Sequence, residues 1–196
     1  MSTLAALTVA TAPTVEPCTA AEVRAFLRLD DTSEDTLLGY LVTAARQAVE
    51  NYTGVAMVNR TLRALYDGTP DGEALELPAW PVVSVSEVAY MASGTTSWTV
   101  LDSATYRVDA DGGRLILAPG YAWPTGVEDV ASFKVTFVAG HGASAASVPQ
   151  ALAEATKVTA GALFEQRGTL DNPQAVAPKL PGTARLLCQP FVRYGL

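Results

Sequence analysis

The chain has 196 residues, 49% of them hydrophobic and 17% charged, long enough to bury a core and too apolar to stay disordered. Twenty acidic against thirteen basic residues give a net charge of −7, which repels phosphate and disfavours tight or sequence-reading nucleic-acid binding. The charge is uneven: no acidic side chain follows Asp171, while Lys179, Arg185 and Arg193 do, so the tail carries +3 and the remainder, ten basic against twenty acidic, −10.

Residues 1–17 are rich in Thr, Ala and Pro, with Pro13 and Pro17, a composition that predicts an extended arm. Thr19-Ala20-Ala21-Glu22 is a capping box. It starts a short helix running to about Leu29, with Val23, Phe26 and Leu27 as its apolar stripe. A second helix is expected from Ser33, with Glu34 and Asp35 on its positive end and Gly54 as a left-handed cap. The three/four spacing of Leu37, Leu38, Leu41, Ala44, Ala45, Ala48, Val49 and Tyr52 defines its buried face.

From Met57 to Gly140 short runs rich in Val, Thr, Tyr and Leu alternate with Gly, Pro and Asp. They predict strands at 61–66, 82–91, 98–101, 106–108, 114–117 and 132–138. Val83, Val85 and Val88, and again Phe133, Val135 and Phe137, alternate as half-buried strands do, wholly or in part. Asp109-Ala110-Asp111-Gly112-Gly113 reads as a hairpin turn. A third helix opens at Ser147-Val148-Pro149-Gln150, with the proline in its first turn, and runs to Arg167 before Gly168. After a Pro- and Gly-containing linker, a short element at Thr183–Cys188 ends at Pro190. The expected class is α+β: a small helical bundle (18–56 and 147–168), an inserted antiparallel β-sheet region (57–142), an N-terminal arm (1–17) and an extended C-terminal arm (169–196).

Cys18 and Cys188 lie near opposite ends, outside any C-x-x-C pair, and one histidine cannot complete a zinc set. Two buried reduced thiols are expected, with a single disulfide as the alternative, and no metal or cofactor. The start of the chain lacks Lys or Arg before its apolar stretch, unlike a signal peptide, and no apolar run reaches the ~20 residues of a membrane span. A soluble protein made in the cytoplasm, with no membrane partner, is the expectation.

Candidate catalytic chemistry is sparse. His141, in Gly140-His141-Gly142, is the one general base titrating near neutrality, and Ser144 follows, but Ala146 breaks the G-x-S-x-G pattern. Asp109-x-Asp111-Gly112 starts like a calcium loop, yet position twelve is Gly120 rather than glutamate. Asp30, Asp31, Glu34 and Asp35 fall at a helix start, where they serve caps and the dipole. Asn51-Tyr52-Thr53 matches a glycosylation pattern by accident at a helix end, and no Gly-rich loop leads into a lysine. No enzyme is expected. The chain end is different: Leu186, Leu187, Phe191, Val192, Tyr194 and Leu196 crowd large apolar groups where termini are ordinarily polar. They either fold back onto the chain's own core or, with Arg185 and Arg193, anchor in a partner.

The order of these pieces resembles the head–tail connector (adaptor) family of long-tailed phages, prophages and gene transfer agents. The resemblance rests on AEVRAFLRLD (21–30) with SEDTLLGYLVTAARQAVENY (33–52), LPAWPVVSVSEVAY (77–90), YRVDADGGRLILAPGYAW (106–123), VTFVAGHG (135–142) and VPQALAEATKVTAGALFEQ (148–166). It implies a structural ring subunit in the particle neck, made in the bacterial cytoplasm. Twelve copies would stack beneath the portal protein, meet a tail-side stopper or terminator, and surround a channel through which DNA passes without specific binding. The implied portal interface is Arg185, Leu186, Leu187, Phe191, Val192, Arg193 and Tyr194. A stopper or tail-completion protein of the same neck is the alternative, and a hydrolase using His141 the rival from another class.

Overall fold

A computed structural model describes residues 3–166 and 180–192. It divides into two compact units, Met1–Ala12 with Asn59–Gly140, and Pro13–Val58 with His141–Leu196. The class is α+β, the first unit built on antiparallel sheets and the second on helices.

In the helical unit, α1 (Ala20–Leu27) starts at the expected capping box: the Thr19 hydroxyl accepts from the Glu22 amide, and the Glu22 carboxylate accepts from the Thr19 amide at 2.7 Å. Arg28, with φ 57°, ends it in the left-handed region. α2 (Asp35–Thr53) begins two residues later than the sequence predicts, with Glu34 at the N-cap position but without a side-chain capping bond to the helix. Asp35 turns instead to Arg24, tying the start of α2 to α1. Gly54 closes α2 with φ 74°, its amide donating to Glu50 O at 2.8 Å.

The buried face of α2 is rotated from the predicted stripe. Leu38, Val42, Ala45 and Val49 are buried together with Arg46, Glu50 and Thr53, whereas Ala44 and Tyr52 are exposed. Counting apolar residues missed this because Arg46 and Glu50 neutralise each other inside and so occupy core positions. α3 (Gln150–Glu165) follows Pro149, and α1, α2 and α3 enclose a core of Cys18, Val23, Leu38, Val42, Ala45, Ala160 and Phe164. Gly161 permits the close crossing of α1 and α3: a Cβ there would sit 3.1 Å from the Phe26 ring. Arg167 and Gly168, the predicted end of this helix, lie outside the described residues.

Among the described residues the sheet unit holds eight strands: β1 (Leu4–Thr11), β2 (Arg60–Tyr66), β3 (Ala74–Glu76), β4 (Val82–Met91), β5 (Trp98–Val100), β6 (Tyr106–Asp109), β7 (Arg114–Leu117) and β8 (Phe133–Ala139). Five form one antiparallel sheet in the order β1-β2-β8-β4-β5, and three form another, β3-β7-β6. Phe133, Val135 and Phe137 alternate inward as predicted and are fully buried. Trp123 packs edge-on against Phe133, centroids 5.6 Å apart, and its indole N–H donates to Gly72 O at 2.9 Å. The hairpin of β6 and β7 forms where expected: Asp109 accepts from the Gly112 amide at 2.9 Å and pairs with Arg114 at 2.8 Å.

Three features depart from the sequence reading. Residues 4–11, expected as an arm, are strand β1, hydrogen-bonded along β2. The prolines that suggested an arm, Pro13 and Pro17, lie beyond residues 4–11, and Thr8, Val9 and Thr11 within them suit a strand. β3 was missed because three residues among Pro, Asp and Gly give no periodic signal. In β4, register shifts between Val82 and Ser84 and between Val85 and Glu87 break the alternation, so Val83 points outward while Val82 is buried.

Candidate functional site: the C-terminal segment

The last described element is α4 (Gly182–Cys188), followed by a 3-10 turn at Gln189–Phe191 that contains Pro190. Pro181 precedes it with an extended backbone (φ −51°, ψ 146°), and its carbonyl accepts from the Arg185 amide at 2.9 Å. The helix packs against α3 and touches α2. Ala184 and Cys188, one turn apart, are its buried face. Leu186 lies on the opposite side and is 68% exposed, with Arg185 beside it in solvent. Leu187, Phe191 and Val192 are half-buried.

The chain end thus divides between the two readings of the sequence. Part of it folds back onto its own unit, but through Ala184 and Cys188 rather than through the large apolar groups that drew attention. Leu186 and Arg185 remain outside as a neighbouring apolar and cationic pair. Arg193 and Tyr194, the other predicted interface residues, lie outside the described residues. The spacing of two small residues four apart was the available signal for the buried face, and it was overshadowed by the bulkier side chains.

Cys18 and Cys188 are both free and buried. Burial pushes the Cys18 thiol up to about 12 and the Cys188 thiol to about 11, so neither is a nucleophile at neutral pH. The first holds the core between α1 and α2, and the second docks α4.

The other candidate residues take structural places. The His141 amide donates to Met57 O at 3.1 Å, and burial lowers the imidazole below its ordinary value and keeps it neutral near pH 7. The Ser144 hydroxyl pairs with that of Ser147 at 3.0 Å. Asp109 is engaged by Arg114 and the Gly112 amide, which together hold its carboxyl below the usual carboxylate range. Asp31 is likewise lowered, by Ser33 hydrogen bonds in the α1–α2 connection. Among the described residues no group of three or more His, Cys, Asp or Glu is placed to hold a metal ion, and no helix is long and apolar enough to cross a membrane. An open cleft of about 390 Å³ in the sheet unit is lined by Tyr66, Leu75, Leu77 and Pro78 among others, with Asp71 and Glu76 as its acidic side chains.

One polar feature sequence reading did not find is the cluster around Arg46. Its Nε donates to Glu16 Oε2 at 2.6 Å and its Nη1 to Glu50 Oε2 at 2.7 Å. Glu50 Oε1 in turn accepts from the Met57 amide at 2.9 Å. Burial pulls the guanidinium down, and the hydrogen bonds and charges of Glu16 and Glu50 more than offset it, so it is raised overall. The Arg46–Glu50 spacing was legible as an i, i+4 pair; its burial was not.

Comparisons with known proteins bear on this arrangement. Residues 19–92 match the family described as phage gp6-like head–tail connector protein. A comparison with curated proteins finds no match. Among solved structures, a chain in the neck of an empty gene transfer agent particle, computed with C6 symmetry, is similar at 26% identity and a TM-score of 0.78 over 97% of each chain. A chain of the native gene transfer agent virion is similar at 25% identity and a TM-score of 0.75, over 97% of this chain and 96% of that one. A third, in the neck of the native particle computed with C12 symmetry, has the same fold at 24% identity and a TM-score of 0.73, over 97% of each chain. The chain thus resembles the head–tail connector proteins in sequence over residues 19–92 and, over nearly its whole length, has a fold similar to that of chains in gene transfer agent particles.

Proposed function

We propose that the protein is a structural head–tail adaptor, a ring subunit between the portal and the tail-side neck proteins of a phage or phage-like particle. The observation that carries this reading is the 97% two-way coverage of a chain in a gene transfer agent neck, joined to the connector-family match over residues 19–92. Twelve copies around one axis agree with the C12 symmetry of one such neck. A net charge of −7 suits a channel through which DNA slides, since like charge prevents lasting phosphate contacts.

In this reading α4 and the residues after it meet the portal. Leu186 supplies an apolar anchor and Arg185 a cation for an acidic partner group, with Leu187, Phe191 and Val192 flanking and Arg193 and Tyr194 continuing the contact. Removing residues 181–196 outright would strip the cover from α3, because Ala184 and Cys188 are buried. The sharper test is Arg185→Glu with Leu186→Glu, both exposed. The double variant is expected to keep the parent's thermal midpoint and to lose attachment to portal-containing heads. Undiminished joining of heads to tails by this variant refutes the portal role of the segment. If the parent chain fails to bind purified portal yet is required for tail attachment, it is the stopper or tail-completion component instead.

A further inference from the structure

The five-stranded sheet ends in β1 on one side and β5 on the other. A free strand edge exposes unpaired backbone donors and acceptors, and proteins ordinarily blunt such edges with charges or proline. The smaller sheet does so: its edge strand β3 carries Glu76, and β6 carries Arg107 and Asp109. The larger sheet does not. Leu4–Thr11 and Trp98–Val100 hold no charged residue and no proline, in a chain with thirteen basic and twenty acidic side chains.

Strand β1 also lacks cover. Leu7 pairs with Ala64 and Val9 with Leu62, whose side chains are in the core, so Leu7 and Val9 continue the core face of the sheet. Yet they are 42% and 54% exposed. At the other edge Val100, whose partner Ala89 pairs with Lys134 on the face opposite Phe133 and Val135, is 62% exposed. Each edge is thus an uncharged ladder beside uncovered apolar groups. Register shifts between Leu4 and Ala6 and between Val9 and Thr11 leave Ala6–Val9 as the regular stretch of β1, close in length to the three residues of β5.

We infer that β1 of one copy pairs with β5 of the next copy, joining neighbouring subunits through one continuous sheet. This rests on the ring reading above. A closed ring needs two different, complementary patches on each copy, and the two edges of one sheet are such a pair. Strand direction fixes the geometry. All four pairings along β1-β2-β8-β4-β5 are antiparallel, so β1 and β5 run the same way. A rotation that continues the sheet therefore pairs them in parallel, whereas a two-fold dimer through β1 alone pairs antiparallel. A second copy is favoured over a foreign strand because both edges are left open and both are uncharged.

The test places Thr8→Cys and Val100→Cys, which project from the same face of the sheet, together in the full chain, within assembled particles, and treats them with a short bismaleimide. Neighbouring strands lie about 5 Å apart, so the reagent spans the contact even with a register offset. A ladder of multiples of the chain is expected from the double variant and single chains from each single variant. Cys18 and Cys188 are buried and stay in place. The inference falls if the variant sits in the particle neck without a ladder, if Thr8→Cys alone yields dimers, or if β1 links to a different protein. Absence of the parent chain from particles would overturn the ring reading itself, and this inference with it. Independently, Leu7→Lys is expected to leave the isolated protein's thermal midpoint unchanged while incorporation drops by at least about tenfold, the equivalent of about 1.4 kcal/mol; unchanged incorporation refutes the pairing.

Discussion

Replacing Arg46 by Met tests whether the buried ion cluster holds the helical unit together. Arg46 and Glu50 have side chains 5% and 4% exposed, while Glu16 is 28% exposed. Removing the guanidinium takes the Arg46 ion pair from the buried Glu50 carboxylate, which still accepts from the Met57 amide at 2.9 Å. Breaking a buried pair from one side costs about 3–5 kcal/mol. Glu16, being partly solvated, contributes about 1 kcal/mol or less of that. For a chain of this size the loss corresponds to roughly 6–20 °C in thermal midpoint, at about 2–4 °C per kcal/mol. Chemical denaturation followed by circular dichroism measures it directly. Glu16→Gln is expected to cost about 1 kcal/mol. Arg46→Met with Glu50→Leu should recover part of the loss, but not all, because the Met57 amide then loses its acceptor at about 1–3 kcal/mol. An Arg46→Met variant within about 1 kcal/mol of the parent would show that the cluster is solvated in solution and refute the reasoning.

Thr19→Ala removes the hydroxyl half of the capping box and is expected to cost about 1 kcal/mol at neutral pH, read from the denaturation midpoint. The Glu22 carboxyl is held below its ordinary value of 4.5, chiefly by the Thr19 amide and then by its hydroxyl. Because folding lowers it, its contribution is complete above that value and fades as the pH falls below it. Glu22→Gln should therefore flatten the acid limb of a pH–stability curve; an unchanged limb would exclude Glu22 as its source. Gly140→Ala should cost about 3 kcal/mol or more, since φ is 148° and a Cβ would lie 2.4 Å from the Asn59 amide nitrogen. Gly54→Ala, left-handed but with nothing within 4 Å of the added Cβ, should cost only about 1–2 kcal/mol. Equal costs would mean that the close approach at Gly140 is relaxed by movement of the neighbouring backbone.

Local chemistry was legible wherever it is decided within a few residues. The Thr19–Glu22 box, the Asp109–Gly113 turn, the Gly54 cap and the inward alternation of Phe133, Val135 and Phe137 all formed as the sequence predicts. What escaped depends on partners distant in the chain. β1 pairs with residues fifty or more positions away, so nothing around Leu4 announces it. The α2 face was misjudged because burial of Arg46 depends on Glu16, thirty residues earlier. At the candidate site the large side chains attracted the reading, but Ala184 and Cys188 determine which way α4 faces. The family pattern was readable because it is carried by the order of many segments, each unspecific alone.

The docking of α4 through Ala184 and Cys188 has a consequence for recognition. A partner that grips Arg185 and Leu186 meets a helix already formed and already seated, so the entropy of folding the segment is not charged to the encounter. Affinity can then rest on a small footprint, and a helix of about two turns suffices where a floppy peptide would need many more contacts. Loosening the seat, for instance by a bulkier side chain at Ala184, would weaken capture without altering any atom the partner touches.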